Sequence, residues 1–419
     1  MATHVIRTDW PHATSRGTAR RVSRALHFCT RNYLLLPLGA AIAFVWANLA
    51  PFSYFTFGRV LAFPVNEIAM ALVFGLIAQE VYEETAPGGA LHQWRRWTVP
   101  MLAAASGVAA AAAAYGIYVE WKIETMLHVT WPVVAGVDVA LVYFITKAIF
   151  HRPDGAAGTR HSHPAVPFVL LLALTANVIG FIVIAPSYVV AAERTGGASL
   201  LMAAAIATAW WLRRHRVSEF WPYIWVAGGL SWVALYLEAF HPALALLPIV
   251  PFMPHARRRL DELFADDADV RGRTVRHFEH VWHYHAQAAL FLFGLVNAGV
   301  MLTGYGTGTW ATLLALIGGR TVGILIGVWL AVAVGLHLPA PLRMREVTVV
   351  ALAASAGFTF SLFFATTLLP AGPLLAELKL GALLTPVGIL LAWLAAWLLR
   401  VGRFARPAHV HTHGKHRGA

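Results

Sequence analysis

The sequence predicts an all-α polytopic membrane protein of about 12 transmembrane helices, two of them interrupted near the middle of the bilayer. Three observations carry that prediction. Of 419 residues, 58% are hydrophobic and only 12% charged, with a mean hydropathy of +0.63, outside the range of an ordinary soluble domain. The apolar residues fall into repeated runs of about 20, long enough to cross a bilayer. Arginine gathers in alternate loops between those runs, so the formal charge of +12 belongs to membrane topology and not to a nucleic-acid surface.

Residues 1–32 are polar and basic, with Arg16, Arg20, Arg21, Arg24 and Arg31. They lack the short apolar core and small-residue cleavage site of a secretory signal, so no removal is expected. Apolar runs, numbered here as spans one to twelve, follow at 33–50, 62–82, 97–118, 131–150, 165–188, 197–212, 221–236, 240–254, 284–303, 309–335, 347–369 and 377–400. The eighth is short for a full crossing and reads as tilted or re-entrant. A charged stretch at 254–283, with Arg257 to Arg259 against Asp261, Glu262, Asp266, Asp267 and Asp269, links a first half at 33–253 to C-terminal spans at 284–402. A His-rich tail at 403–419 ends the chain and is assigned no function.

Loop charge sets the orientation. Arg95 and Arg96, Arg152 and Arg160, Arg213, Arg214 and Arg216, Arg257 to Arg259, and Arg343 and Arg345 lie in alternate loops. The intervening loops hold little beyond Arg59, Lys122, Arg194 and Lys379. Both termini are therefore expected in the cytoplasm, with an even span count. The single cysteine, Cys29, excludes an internal disulfide framework.

Span four carries Asp138 near its middle, after Pro132 and Gly136. A carboxylate at that depth costs about 2.5–3.5 kcal/mol on insertion scales, so it implies a function or a partner. Gly136 loosens the helix beside it, which reads as a broken helix with a charge at the break. Span eleven echoes this: Ala356, Gly357, Phe358 and Thr359 repeat the small–Gly–bulky–polar order of Ala135 to Asp138. Arg320, deep in span ten, is permanently cationic. It needs acceptors, and the C-terminal ends of broken half-helices supply carbonyls, while Asp138 suits the opposing N-terminal ends.

These stretches resemble the NhaA-type sodium/proton antiporters. The resemblance runs from about residue 35 to residue 400, through NEIAMALVFGLIAQEVYEE (66–84), WPVVAGVDVALV (131–142), FEHVWH (278–283), NAGV (297–300), IGGRTVGI (317–324) and SAGFTFSLF (355–363). It implies the NhaA antiporter fold, with inverted repeats and crossed discontinuous helices at spans four and eleven. It also implies a homodimer in a bacterial inner membrane, aided by short strands after span one, for which FGRVLAFP (57–64) is a reduced counterpart. By position, Asp138 corresponds to the acid that balances half-helix N-termini, and Arg320 to a lysine that balances C-termini. Glu80 and Glu84, with Glu279, His280 and His283, match residues linked to pH sensing at the cytoplasmic ends of spans two and nine.

The sequence departs from the family at span five. Where the family has two adjacent aspartates, this chain reads LTANVIG, placing Asn177 and its neighbours at that site, with Thr175 two residues before. Asn177 offers a carbonyl oxygen to a cation but no proton. The expected ion pathway is therefore Asp138, Thr175, Asn177, Arg320 and Thr359, with breaks at Gly136 and Gly357 and Asp138 as the only mid-membrane carboxylate. The implied function is monovalent cation (sodium or lithium)/proton antiport with altered or weakened coupling, needing membrane lipid, cation and protons but no cofactor, metal or nucleic acid. A same-fold carrier of another solute, or a transport-deficient regulatory member, is the second reading. A metalloenzyme built on His277, His280, His283 and His285 is the remote one, because His161, His163 and His241 do not complete further His boxes.

Overall fold

The computed structural model describes residues 35–85, 94–150, 163–185, 197–217, 219–238, 240–253, 273–339 and 342–405. The expected N-terminal segment 1–32, residues 254–272 of the linker and 406–419 of the tail lie outside the described residues. Among the described residues, regular structure is helical, with no strand. In hydrocarbon a helix satisfies every backbone group within its own segment, which is why apolar runs of this length take that form.

Among the described residues, five helices are long and apolar enough to cross a membrane: Pro51–Gln79, Thr98–Trp121, Ala165–Ile184, Thr307–Ala333 and Pro373–Phe404. Two more crossings are bent pairs. Thr125–Val134 joins Val139–Phe150 at 52°, and Met344–Ala353 joins Phe358–Leu368 at 43°. Shorter apolar helices occupy Leu35–Leu49, Tyr223–Leu237 and His285–Asn297. The short eighth run folds as two 3₁₀ turns, Pro242–Leu244 and Val250–Phe252.

One expectation fails. The strand-like counterpart at 57–64 is helical: Pro51–Phe63 is an α-helix that continues through a π-helical turn, Pro64–Ala69, into Met70–Thr85. Pro51 sits in the first turn, where its missing N–H costs nothing. Eight residues without a second strand to pair with gain little as a ribbon. Tyr54 instead anchors this helix, donating to the Val296 carbonyl at 2.8 Å and accepting from the Gly299 N–H at 2.9 Å. Asn48 does the same work at Val300 and Leu302. Together they satisfy the unwound backbone after Asn297.

Span ten is positioned by close backbone approach. Gly319, Gly323 and Gly327 face Ala114, Ala110 and Ser106 of span three so tightly that a Cβ on any of them would collide. Small residues at four-residue spacing let membrane helices make contact along their backbones. This packing holds Arg320, which ends the π-helical turn Leu314–Arg320, against the two bent pairs. A phenylalanine cluster fills the space beside them. Phe74 of span two meets Phe181 of span five, and also Phe360 and Phe363 of span eleven, at ring separations of 4.8, 5.7 and 4.7 Å.

Candidate functional site: two crossed broken helices

The first bent pair unwinds between Val134 and Val139, and the second between Ala353 and Phe358. Gly136 and Gly357 lie inside these breaks. The two breaks touch: the Asp138 N–H donates to the Ala356 carbonyl at 2.9 Å. A Cβ on Gly136 would run into the Phe360 side chain, so the crossing closes only with glycine there. Ser361 further ties the halves, donating to the Val133 carbonyl at 2.8 Å.

Asp138 is 3% exposed and sits at the N-terminus of both second half-helices. Its Oδ1 accepts the Leu141 N–H at 3.1 Å, a capping bond to the half-helix Val139–Phe150. Its Oδ2 accepts the Thr359 N–H at 3.3 Å and the Thr359 hydroxyl. One carboxylate thus meets the orphan donors and positive dipole ends of two helices.

Arg320, 1% exposed, serves the opposite ends. Its Nη1 donates to the Gly136 carbonyl at 2.7 Å and the Ala354 carbonyl at 3.3 Å, and its Nη2 to the Val134 carbonyl. These carbonyls follow the C-terminal ends of the two first half-helices, where partial negative charge accumulates. The crossing therefore holds one acidic and one basic side chain, each against helix ends of opposite polarity.

Span five meets this arrangement through Asn177, which is fully buried. Its Oδ1 accepts the Val137 N–H at 2.7 Å, and its Nδ2 donates to the Val137 carbonyl at 3.0 Å. The oxygen expected to face a cation is already engaged by the first break. The Thr175 hydroxyl donates back to the Leu171 carbonyl at 2.8 Å within its own helix. The structure thus brings Asp138, Asn177, Arg320 and Thr359 together around the crossing.

The side chains of Glu80, Glu84, Glu279, His280 and His283 lie outside the described residues. Their backbone belongs to the helices Met70–Thr85 and Arg273–Asn297. His285 is described and lies edge-on to Trp221 at 5.5 Å.

One buried acid escaped the sequence reading. Glu67, in the π-helical turn of span two, is 8% exposed, with a carboxylate oxygen 3.5 Å from His241 Nδ1. His241 Nε2 in turn lies 3.0 Å from the Thr367 hydroxyl. Asp138 is therefore not the only buried carboxylate in a membrane-length segment. Glu67 stands near the start of its apolar run, where an acid reads as a helix-end charge, and only the fold carries it inside.

A fold of crossed broken helices, with a carboxylate at the N-terminal ends and a cation at the C-terminal ends, defines a secondary transporter. Comparison with known proteins narrows this. The family described as Na+/H+ antiporter 1 matches residues 30–399. The Na(+)/H(+) antiporter NhaA of Desulfitobacterium hafniense is 36% identical over 379 residues, covering 88% of this chain and 95% of that one. Its namesake in Geobacter metallireducens is 38% identical over 355 residues, covering 83% and 90%. This chain belongs to the Na+/H+ antiporter 1 family, and is a multi-pass membrane transporter, not an enzyme. The structure of the sodium proton antiporter MjNhaP1 from Methanocaldococcus jannaschii shares the fold, with a TM-score of 0.53 at 12% identity over 90% of this chain and 92% of that one.

Proposed function

We propose that this chain exchanges a monovalent cation, sodium or lithium, for protons across a bacterial inner membrane, with coupling weaker than two acids on span five would give. The observation that carries this reading is the crossing itself. Asp138 places a carboxylate, and Thr359 a hydroxyl, where two unwound backbones meet. A desolvated cation requires oxygen ligands of this kind, and Arg320 neutralises the opposite helix ends without titrating. Asp138 is the exchange group in this scheme, and Thr175 is assigned to the ion pathway from span five. With one carboxylate in place of two, a single carrier charge limits the exchange. Glu80, Glu84, Glu279, His280 and His283 form the cytoplasmic pH-responsive set, with both termini on that side. The protein acts as a homodimer.

A second reading, a carrier of another solute or a transport-deficient member of the family, is favoured by one feature. The five rings of Phe74, Phe181, Phe360, Phe363 and Phe364 pack beside the crossing in continuous aromatic contact. Such a filling is apolar where an ion path needs water or oxygens. Purified protein in proteoliposomes, given sodium or lithium against a pH gradient, separates the two. Cation-dependent proton movement supports the first reading, and its absence with a correctly folded protein supports the second.

A further inference from the structure

Asn177 occupies the position where the exchange chemistry is expected, yet its geometry is that of a clamp. The carboxamide presents an acceptor and a donor side by side, and the peptide groups flanking Val137 present the complementary pair. Both bonds form, at 2.7 and 3.0 Å, in a fully buried site. Unwound backbone in a membrane must find such partners, because no water is present to take them. Val137 stands between the two residues that matter most at the crossing. On one side is Gly136, whose carbonyl accepts from Arg320. On the other is Asp138, whose carboxylate meets both half-helix N-termini.

We infer that Asn177 is the positioning residue of the site: its amide fastens span five to the first break and so sets the orientation of Asp138 for the cation. The inference rests on the antiport reading and assigns Asn177 a place beside the ion, not among its ligands. The requirement is for a donor and an acceptor together. A leucine of similar size provides neither. An ionised aspartate accepts the Val137 N–H but sets its second oxygen against the Val137 carbonyl. A protonated aspartate again offers one donor and one acceptor, so Asn177→Asp converts a permanent clamp into one that holds at acid pH and releases as pH rises. Asp138 opposes ionisation of such a group, and Arg320 favours it. Among the described residues of the helices packed against span five, Tyr115 is engaged with Thr130, Glu120 with His128, Lys147 with Tyr143, and Glu346 with the Arg343 N–H.

The test compares wild type, Asn177→Leu and Asn177→Asp by thermal unfolding in detergent and by cation-dependent proton movement in proteoliposomes, each at acid and alkaline pH. Asn177→Leu is expected to melt lower at every pH and to bind the cation about tenfold more weakly, the effect of leaving buried polar groups unpaired. Asn177→Asp is expected to match wild type at acid pH, then lose both melting temperature and apparent cation affinity as pH rises. A residue that only stabilised the fold would not move cation affinity with pH in this way. If Asn177→Leu fails to fold, Asn177→Asp purified at acid pH still tests the inference when shifted to alkaline pH. Asn177→Leu behaving as wild type would overturn it. So would an Asn177→Asp protein whose stability ignores pH and which moves more protons per cation, since that marks position 177 as a ligand. If wild type moves no protons, the antiport reading fails by itself, and the melting curves still decide whether Asn177 is a clamp.

Discussion

The carboxylate of Asp138 accepts the backbone N–H of Thr359, a residue 221 positions later in the chain, at 3.3 Å. That bond joins the N-terminal ends of two half-helices through one side chain. Its consequences, and those of the matching contacts of Arg320, can be measured.

Replacing Asp138 by Asn keeps the shape but removes the charge facing two helix N-termini. Each dipole interaction contributes about 0.3–1 kcal/mol, and up to about 2 kcal/mol where partly buried. The Asp138→Asn protein is expected to melt at a lower temperature in detergent and to lose cation-dependent proton movement. Retained exchange in this variant would show that another group, of which Glu67 is the first candidate, carries the charge.

Arg320→Met removes the donors to Val134, Gly136 and Ala354 together. Breaking a buried charge arrangement costs about 3–5 kcal/mol. A large fall in melting temperature is expected, with Arg320→Lys intermediate because a point charge reaches fewer carbonyls than a planar fork. An Arg320→Met protein as heat-stable as wild type would show that the helix ends need no cation.

Gly136→Ala pushes a methyl group into Phe360. Overpacking of this kind costs about 1–3 kcal/mol. The penalty should shrink when Phe360→Leu is added, because both changes address one contact. Thermal unfolding of the two single variants and the double variant gives the coupling directly, and strict additivity would argue that the crossing relaxes elsewhere.

Two-proton, voltage-generating exchange is expected to be absent, because span five supplies no acid and Asp138 already faces both helix N-termini. Any residual exchange should be slow and should disappear in Asp138→Asn. A voltage-sensitive dye in proteoliposomes checks this, and robust potential formation that survives Asp138→Asn would place the carrier elsewhere.

The local signals in the chain were sufficient for its all-helical, polytopic character, for the two breaks and for the residues that carry charge at them. Apolar run length, a glycine beside a polar residue and a lone charge in an apolar segment are all properties of a short window, and the physics they report is the cost of burying polar groups in lipid. Asp138, Gly136, Arg320, Gly357 and Thr359 were legible for that reason. The helical course of Pro51–Phe63 was less so, because what anchors it, Tyr54 against Val296 and Gly299, lies about 240 residues away. Only the tertiary structure decided that Asn177 spends its amide on Val137 and that Glu67 turns inward toward His241. Both outcomes depend on which helix faces which, and that is set by side chains packing across the fold, a relationship no single stretch of sequence contains.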